Sequence, residues 1–251
     1  MNLSSTTFIF YKTTAILNDL FGKALLNYYQ QPGKQELITW TSLTEEDPVP
    51  ISYFFRAFNT MPKIEQKALE LAHGKVLDVG CGSGSHSLYL QNEKELEVVG
   101  IDRSAGAIDV AQQRGVKNLH CQSILAFDKE QFDTLLLLMY GLGVAQDFKG
   151  VLPLLLHLKE LLKPHGQILV DSSDLIYLFP EEEQLDWQMA ETYYGELDYG
   201  IRFDGKEEEF PWLYLDFDHL TTAALQAGLA CEKVLDGPNH DYLARLSIKE
   251  S

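Results

Sequence analysis

Residues 76–85 read Val-Leu-Asp-Val-Gly-Cys-Gly-Ser-Gly-Ser, and this stretch decides the fold. A short apolar run reaches Asp78, and an amphipathic stretch begins at Ser85, a residue type that favours helix starts. Between them, glycines occupy alternate positions: Gly80, Gly82 and Gly84. Glycine adopts positive φ without strain and lets a ligand approach the backbone closely. The pattern therefore predicts a strand that turns tightly into a helix, whose first amides face a bound ligand.

The sequence that follows alternates between strand and helix. Apolar runs predict five strands: 76–79, 96–101, 118–122, 132–139 and 167–170. The intervals carry helical patterns: 85–91, 104–115 and 151–162. Pro164 and Gly166 close the last of these helices. Such alternation implies right-handed crossovers, and we expect an α/β fold with a doubly wound, mostly parallel sheet.

The C-terminal region departs from a purely parallel sheet. A helical pattern over 217–227 stops at Gly228. Two further strands are predicted over 231–235 and 242–248, and the short segment between them cannot hold a helical crossover. We expect these two strands to pair as a hairpin, so that the last strand of the sheet runs antiparallel.

The glycine stretch resembles the first motif of the class I S-adenosylmethionine (SAM) dependent methyltransferases. In that motif an acidic residue and any residue precede Gly-x-Gly-x-Gly, and Asp78 with the three glycines matches it position for position. The resemblance implies that Asp78 holds the methionine amino group of SAM and that the glycines line its amino-acid and ribose parts. It covers the chain from about residue 61 and implies a seven-stranded, Rossmann-like sheet with an antiparallel ending.

Three further strand ends extend the resemblance. Asp102 ends the second strand, where an acidic residue would accept hydrogen bonds from the ribose hydroxyls. Ser123 and Ile124 follow the third strand, although the family often has an Asp at the serine position, which contacts the adenine amino group. Tyr140 follows the fourth strand and would pack on the cofactor or act on the substrate. The predicted cofactor-binding residues are Asp78, Gly80, Cys81, Gly82, Gly84, Asp102, Arg103, Ser123, Ile124 and Tyr140.

The sequence does not identify a catalytic base, and two residues are weak candidates. Tyr140 is one, and His86 is the other because imidazole titrates near neutrality. A histidine in the first helical turn more often hydrogen-bonds nearby backbone. The metal-dependent catechol type of the family has an Asp-Asn pair after the fifth strand. Residues 171–174 read Asp-Ser-Ser-Asp, so we expect no metal.

Two alternatives to a methyltransferase stay open from the sequence. A nicotinamide-dependent oxidoreductase would carry glycine at the sixth position counted from Gly80, where this chain has Ser85. Its pyrophosphate would also meet the carboxylate of Asp78, whereas the ammonium group of SAM suits that charge. The second alternative is a non-catalytic SAM-binding interaction module. An intact cofactor motif disfavours it, because lost activity commonly lets the motif decay.

Composition limits the partners. The 251 residues include 37 acidic and 20 basic side chains, for a net charge of −17. Such a surface repels the phosphates of nucleic acids and anionic lipids. The three cysteines are scattered and indicate neither a disulfide framework nor a zinc site, and the longest apolar run, 135–145, is too short to span a bilayer. We expect a small-molecule substrate, no nucleic-acid or membrane partner, and a cytoplasmic location.

We divide the chain into an N-terminal helical cap or lid, residues 1–62, and a SAM-binding domain, residues 63–251. Residues 176–214 are an insertion after the fifth strand, in which Asp204-Gly205 indicates a hairpin turn. The cap is rich in aromatic residues: Phe8, Phe10, Tyr11, Phe21, Tyr28, Tyr29, Trp40, Tyr53, Phe54 and Phe55. So many aromatic side chains need an apolar surface on which to pack. We expect the cap to close over the site, and the alternative is a homodimer interface.

Overall fold

The computed structural model describes residues 19–128, 130–188 and 192–249. Their strands are β1 (Glu36–Thr41), β2 (Thr44–Pro50), β3 (Lys75–Val79), β4 (Glu97–Asp102), β5 (Asn118–Cys121), β6 (Phe132–Leu137), β7 (Leu162–Ser173), β8 (Glu196–Phe203), β9 (Lys206–Leu213), β10 (Leu229–Asp236) and β11 (Asp241–Ile248). Their α-helices are α1 (Leu20–Gln30), α2 (Lys63–Leu71), α3 (Ser85–Asn92), α4 (Ala105–Gln113), α5 (Val151–Glu160), α6 (Glu181–Gln188) and α7 (Phe217–Gln226). No helix in these ranges is long and apolar enough to cross a membrane. Phe8, Phe10 and Tyr11 lie outside the described residues.

The larger sheet has seven strands in the order β10-β11-β7-β6-β3-β4-β5. Strands β3 to β7 run parallel, and β11 runs antiparallel to both β7 and β10. Side chains alternate along each strand, so Leu77 packs toward α5 and α7, while its neighbour Val76 packs toward α2 and α3. The sheet is therefore covered on both faces, which confirms the doubly wound fold and its antiparallel last strand.

Two strand boundaries differ from the sequence prediction. β6 ends at Leu137, because Met139 and Tyr140 adopt left-handed backbone with φ of 61° and 60°. β7 begins at Leu162 and is much longer than predicted, with Pro164 and Gly166 inside it rather than in a turn. The register to β6 shifts over this part of β7, and such an irregularity tolerates proline, which has no amide to donate.

A second, antiparallel sheet joins two segments that lie far apart in sequence, in the order β2-β1-β8-β9. β8 and β9 form the predicted hairpin, and Asp204 and Gly205 have φ of 51° and 70° at its turn. The hairpin of β1 and β2 was not predicted. Pro48 and Pro50 lie in β2, which is an edge strand and can accommodate them. β1 pairs with β8, so the N-terminal segment and the insertion share one sheet.

Helix α1 fastens the N-terminal segment to the larger sheet through α4. Asp19 caps α1 with one carboxylate oxygen, 3.1 Å from the Gly22 amide, and accepts the Gly106 amide at 2.9 Å with the other. The two helices approach so closely that a Cβ on Gly106 would lie 2.7 Å from the carbonyl carbon of Gly22. α1 thus lies between α4 and the second sheet. Leu20 and Leu25 of α1 form one apolar cluster, the α1 cluster, with Leu37, Val110 and Ile201.

We predict that Gly106→Ala destabilises the protein by about 1–3 kcal/mol, because the added methyl group forces α1 away from α4. Urea unfolding measures the free energy. Gly33→Ala is the matched control, since the nearest atom to its added Cβ is 3.9 Å away. Equal stability of the two variants would contradict the close helix packing.

Candidate functional site

The glycine turn lies at the carboxyl end of β3, where the chain order of the sheet reverses. β3 has β6 on one side and β4 on the other, and ligands of open α/β sheets bind at such a point. Gly80, Gly82 and Gly84 have φ of 72°, 54° and 83°, as the sequence pattern predicts. A Cβ on Gly80 would meet no atom within 4 Å, whereas one on Gly84 would lie 2.7 Å from Val116. The start of the turn therefore faces open space, and its end packs on the protein.

Asp102 connects this turn to the end of the neighbouring strand. One carboxylate oxygen accepts the Gly82 amide at 2.9 Å, and the other accepts the Ser104 amide at 2.9 Å. Burial raises the pKa of Asp102, although these two hydrogen bonds favour the charged form. Ser104 in turn caps α4 by accepting the Ala107 amide. Asp102 is thus held in one orientation at the carboxyl edge of the sheet.

Asp78 lies two residues before the glycine turn and is almost fully buried, with 2% of its surface exposed. Its carboxylate accepts a hydrogen bond of 2.6 Å from the Ser87 hydroxyl. Burial raises the pKa of Asp78, and the nearby charge of His86 and the Ser87 bond oppose this shift. A cationic group placed beside this carboxylate would stabilise its charged form.

His86 forms a buried ion pair that the sequence did not predict. Its Nε2 lies 2.6 Å from Glu65 of α2, and the other oxygen of Glu65 contacts the Arg56 guanidinium. Burial alone would raise the pKa of Glu65, but the bond to His86 and the Arg56 charge outweigh it and lower that pKa. Burial lowers the pKa of His86, but the hydrogen bond to Glu65 and the charges of Glu65 and Asp78 outweigh burial, so that this pKa is raised overall. Both shifts favour the ionised form of the pair, and His86 hydrogen-bonds to a side chain rather than to backbone.

Glu65 and Arg56 were missed by the sequence reasoning. Glu65 is 3% exposed and shares a buried helix face with Ala68 and Leu69, at the i, i+3 and i+4 positions. A carboxylate on an apolar helix face was the signal available, because such a group must find a partner. Arg56 follows a short turn of helix, Ile51–Phe55, and offers no periodic pattern.

The other predicted residues follow the ends of β3, β4 and β5. Cys81 is 6% exposed, so its side chain is packed inside, and burial raises the pKa of its thiol well above the ordinary value. Arg103 is exposed. Ser123 caps the next short turn by accepting the Leu125 amide at 3.3 Å, and Ile124 is buried. The structure thus brings the predicted residues to one edge of the sheet.

Tyr140 and Asp171 meet at the carboxyl ends of β6 and β7. The Tyr140 amide donates to the Asp171 carboxylate at 2.9 Å, and the Tyr140 ring lies 5.0 Å from the ring of Tyr214. Asp171 is 5% exposed, and burial raises its pKa to about 7, with the Glu65 charge acting in the same direction. Burial also raises the pKa of the Tyr140 phenol. The sequence reasoning had considered Asp171 only as part of a metal motif. Among the described residues no group of three or more His, Cys, Asp or Glu side chains is arranged to hold a metal ion.

The N-terminal segment touches the glycine turn directly. The Phe54 carbonyl accepts hydrogen bonds from the Ser83 and Ser85 hydroxyls, the latter at 2.9 Å. Arg114 donates to the Ser83 carbonyl at 2.7 Å and lies over the ring of Phe55, 5.0 Å from its centroid. The short helix Ile51–Phe55 is therefore fixed against the turn that the sequence reasoning assigned to the ligand.

Trp40 is separated from the aromatic residues with which the sequence grouped it. A Cβ on Gly200 would lie 2.0 Å from the Trp40 ring, so the ring lies flat on β8, and its indole nitrogen donates to Glu209 at 3.2 Å. Leu37 packs in the α1 cluster, and because side chains alternate along β1, Trp40 is on the opposite face. Tyr53, Phe54 and Phe55 remain together at the turn.

Comparisons with known proteins agree with this geometry. Residues 71–214 match a family model described as a methyltransferase domain. A solved structure of a SAM-dependent methyltransferase from Bacteroides fragilis, in complex with S-adenosyl-L-homocysteine (SAH), is 37% identical, with a TM-score of 0.83 over 92% of this chain and 94% of that one. CcbJ from Streptomyces caelestis (14% identity, TM-score 0.56, 77% and 99% covered) and DesVI from Streptomyces venezuelae (15%, 0.54, 90% and 98%) share the fold. A search of curated proteins gave no match.

We predict that the His86–Glu65 pair makes stability depend on pH. The raised pKa of His86 means that its contribution is complete below the ordinary value of 6.5 and is lost as pH rises through the folded value. The lowered pKa of Glu65 means that its contribution is present above 4.5 and is lost as pH falls through the folded value. His86→Asn should therefore lower the free energy of unfolding by about 1–3 kcal/mol between pH 4.5 and pH 6.5, and by less at alkaline pH.

Urea unfolding of the wild type and the variant across pH measures this difference. The control is His165→Asn, an exposed residue whose φ of 63° asparagine tolerates. A cost of His86→Asn that stays constant from acidic to alkaline pH would refute the ionised pair.

Proposed function

The chain belongs to the SAM-dependent methyltransferases, and we propose that it transfers the methyl group to an oxygen, nitrogen or carbon atom of a small molecule. One observation carries the placement of SAM. The open space over Gly80 lies at the point where the sheet order reverses, and the two neighbouring strands that end there carry carboxylates, the buried Asp78 of β3 and the half-buried Asp102 of β4. A ligand with a cationic amine at one end and a ribose at the other fits this arrangement.

We assign the two ends of SAM as follows. Asp78 would bind the ammonium group of the methionine part, because burial has raised the pKa of this carboxyl and a cation beside it restores the charged form. Asp102 would accept the ribose hydroxyls with lone pairs that its two backbone hydrogen bonds leave free. Ser123 and Ile124 would border the adenine. Cys81 and Arg103 would contribute backbone contacts, since the side chain of Cys81 is packed inside.

SAM supplies an already activated methyl group, so the protein has mainly to position the acceptor and exclude water. The N-terminal segment is suited to excluding water, because its Phe54 carbonyl accepts hydrogen bonds from residues of the glycine turn. The insertion contributes as well. A Cβ on Gly143 would lie 1.9 Å from the ring of Trp212, so β9 packs on the loop after Tyr140. We therefore propose that residues 1–62 act as a lid over the domain of residues 63–251, together with the insertion 176–214.

Family membership removes the nicotinamide oxidoreductase, and the non-catalytic module with it, since the chain carries a methyltransferase domain. The net charge of −17 supports a small molecule over a nucleic acid as the acceptor. The cytoplasmic location and the homodimer stay predictions. The described cap aromatics Phe21, Tyr28, Tyr29, Phe54 and Phe55 pack within the chain against the α1 cluster, which gives them an apolar partner without a second copy.

We predict that Asp102→Ala weakens SAM binding by about 1–3 kcal/mol, because charge-assisted hydrogen bonds to the ribose are lost. Titration calorimetry measures the affinity, and Asp109→Ala on the surface of α4 is the matched control. Unchanged SAM affinity in Asp102→Ala would show that the ribose is placed wrongly.

We also predict no measurable binding of RNA or DNA at physiological salt, because polyanion binding needs clustered cationic contacts that a net charge of −17 opposes. A gel-shift titration with single- and double-stranded probes tests this. Micromolar, salt-sensitive binding would overturn the assignment to small molecules.

A further inference from the structure

We propose that the methyl acceptor is an amine, which binds as an ammonium ion to Asp171 among tyrosine rings and passes its proton to that carboxylate. The proposal rests on the proposed function, since it takes the SAM site as given and concerns the acceptor side. Asp171 would thereby be a catalytic residue, in addition to the two candidates that the sequence offered, Tyr140 and His86.

The position of Asp171 follows from the register of the sheet. Asp78 of β3 is level with Leu136 of β6, and Leu137 of β6 is level with Val170 of β7. Asp171 therefore lies two strands away from Asp78, about 10 Å across the sheet, and two residues further toward the carboxyl edge. In the proposed placement the adenosine covers β4 and β5, on the other side of Asp78. The edge of β6 and β7 is left for the acceptor.

The surroundings of Asp171 suit an organic cation. The hydrogen bonds to its carboxylate from the described residues come from backbone amides, that of Tyr140 among them, and no described side chain donates to it. The Tyr140 amide binds the carboxylate directly, and the Tyr140 ring lies 5.0 Å from the ring of Tyr214. Burial raises the pKa of the phenols of Tyr53, Tyr140 and Tyr214, and the charge of Asp171 acts in the same direction on each. A carboxylate flanked by aromatic rings is the composition that recognises ammonium groups.

The cations of this network are already engaged. Arg56 and His86 both bind Glu65, so neither forms an ion pair with Asp171. The charges of Glu65 and His86 act on Asp171, and Asp171 in turn acts on the phenols of Tyr53, Tyr140 and Tyr214. Tyr242 packs on the opposite face of the sheet. Because Glu65 holds both Arg56 and His86, the buried carboxylate of Asp171 has no cationic partner of its own, and such a group favours a ligand that brings a positive charge.

The proton transfer balances with an amine. The ammonium N–H gives its proton to the Asp171 carboxylate, and the nitrogen lone pair forms a bond to the methyl carbon. The bond from that carbon to sulfur breaks, and its electron pair stays on sulfur, which yields SAH and the methylated amine as an ammonium ion. Asp171 then releases its proton to water. A lone carboxylate is far too weak a base for an aliphatic alcohol, whose proton is much less acidic than that of an ammonium ion.

Calorimetry on the SAH-saturated protein tests the proposal with matched probes. Benzylamine is compared with benzyl alcohol, and cyclohexylamine with cyclohexanol, so that the two members of each pair differ only in the amine or hydroxyl group. p-Cresol represents the phenols. We expect each amine to bind at least tenfold more tightly than its alcohol, and Asp171→Asn to reduce this preference to less than threefold. Asparagine keeps an oxygen for the Tyr140 amide, so the fold is retained.

Asp174→Asn is the control, since this neighbour accepts a hydrogen bond from Tyr194 and an amide oxygen can replace it. Tight binding of alcohols or of p-cresol, failure of every amine to bind, or an unchanged preference in Asp171→Asn would each overturn the proposal. Failure of SAH itself to bind in the first titration would instead refute the proposed function. Turnover with SAM and a bound amine, followed by product mass, should fall at least 100-fold in Asp171→Asn with SAM affinity unchanged.

Discussion

The backbone turn between β3 and α3 must leave one face open for a ligand at Gly80, and this constraint shapes the surrounding structure. A turn without side chains over the ligand has few contacts of its own. Other segments therefore hold it through hydrogen bonds at five residues of the turn and the start of α3: Gly82 to Asp102, Ser83 and Ser85 to Phe54, His86 to Glu65, and Ser87 to Asp78. These bonds connect the turn to β3, to β4, to α2 and to the short helix Ile51–Phe55.

The same contacts connect the glycine turn to the segments of the proposed lid. Phe54 and Arg56 belong to the N-terminal segment, which also supplies α1 and two strands of the second sheet. The other half of that sheet comes from the insertion, whose Trp212 packs on the loop that carries Tyr140. A displacement of the proposed lid would therefore move the glycine turn and the loop after Tyr140 together. In the proposed function, this connection would help to hold both reactants in line and to exclude water.

The sequence was sufficient for the parts of the fold that depend on local pattern. The glycine turn, the parallel strands, the antiparallel ending and the hairpin at Asp204 each have a signal within about ten residues. The second sheet could not be predicted in the same way. β1 pairs with β8 across some 160 residues, and nothing in the sequence of either strand indicates which strand it pairs with. The Glu65–His86 pair was missed for a related reason, since it joins α2 to α3 and only the burial of an acidic residue on α2 could have signalled it. Asp171 was visible at a strand end, but its role depends on neighbours that only the fold brings together.

We infer that Asp78 and Asp102 hold the two ends of one SAM molecule across the open start of the glycine turn. A crystal structure of the protein with SAH is the decisive measurement. We expect both ribose hydroxyls within hydrogen-bond distance of Asp102 and the amino group of the ligand beside Asp78, with the sulfur facing Tyr140 and Asp171. A ligand bound in the reverse direction, or away from the carboxyl edge of β3, would show that this placement of SAM is wrong.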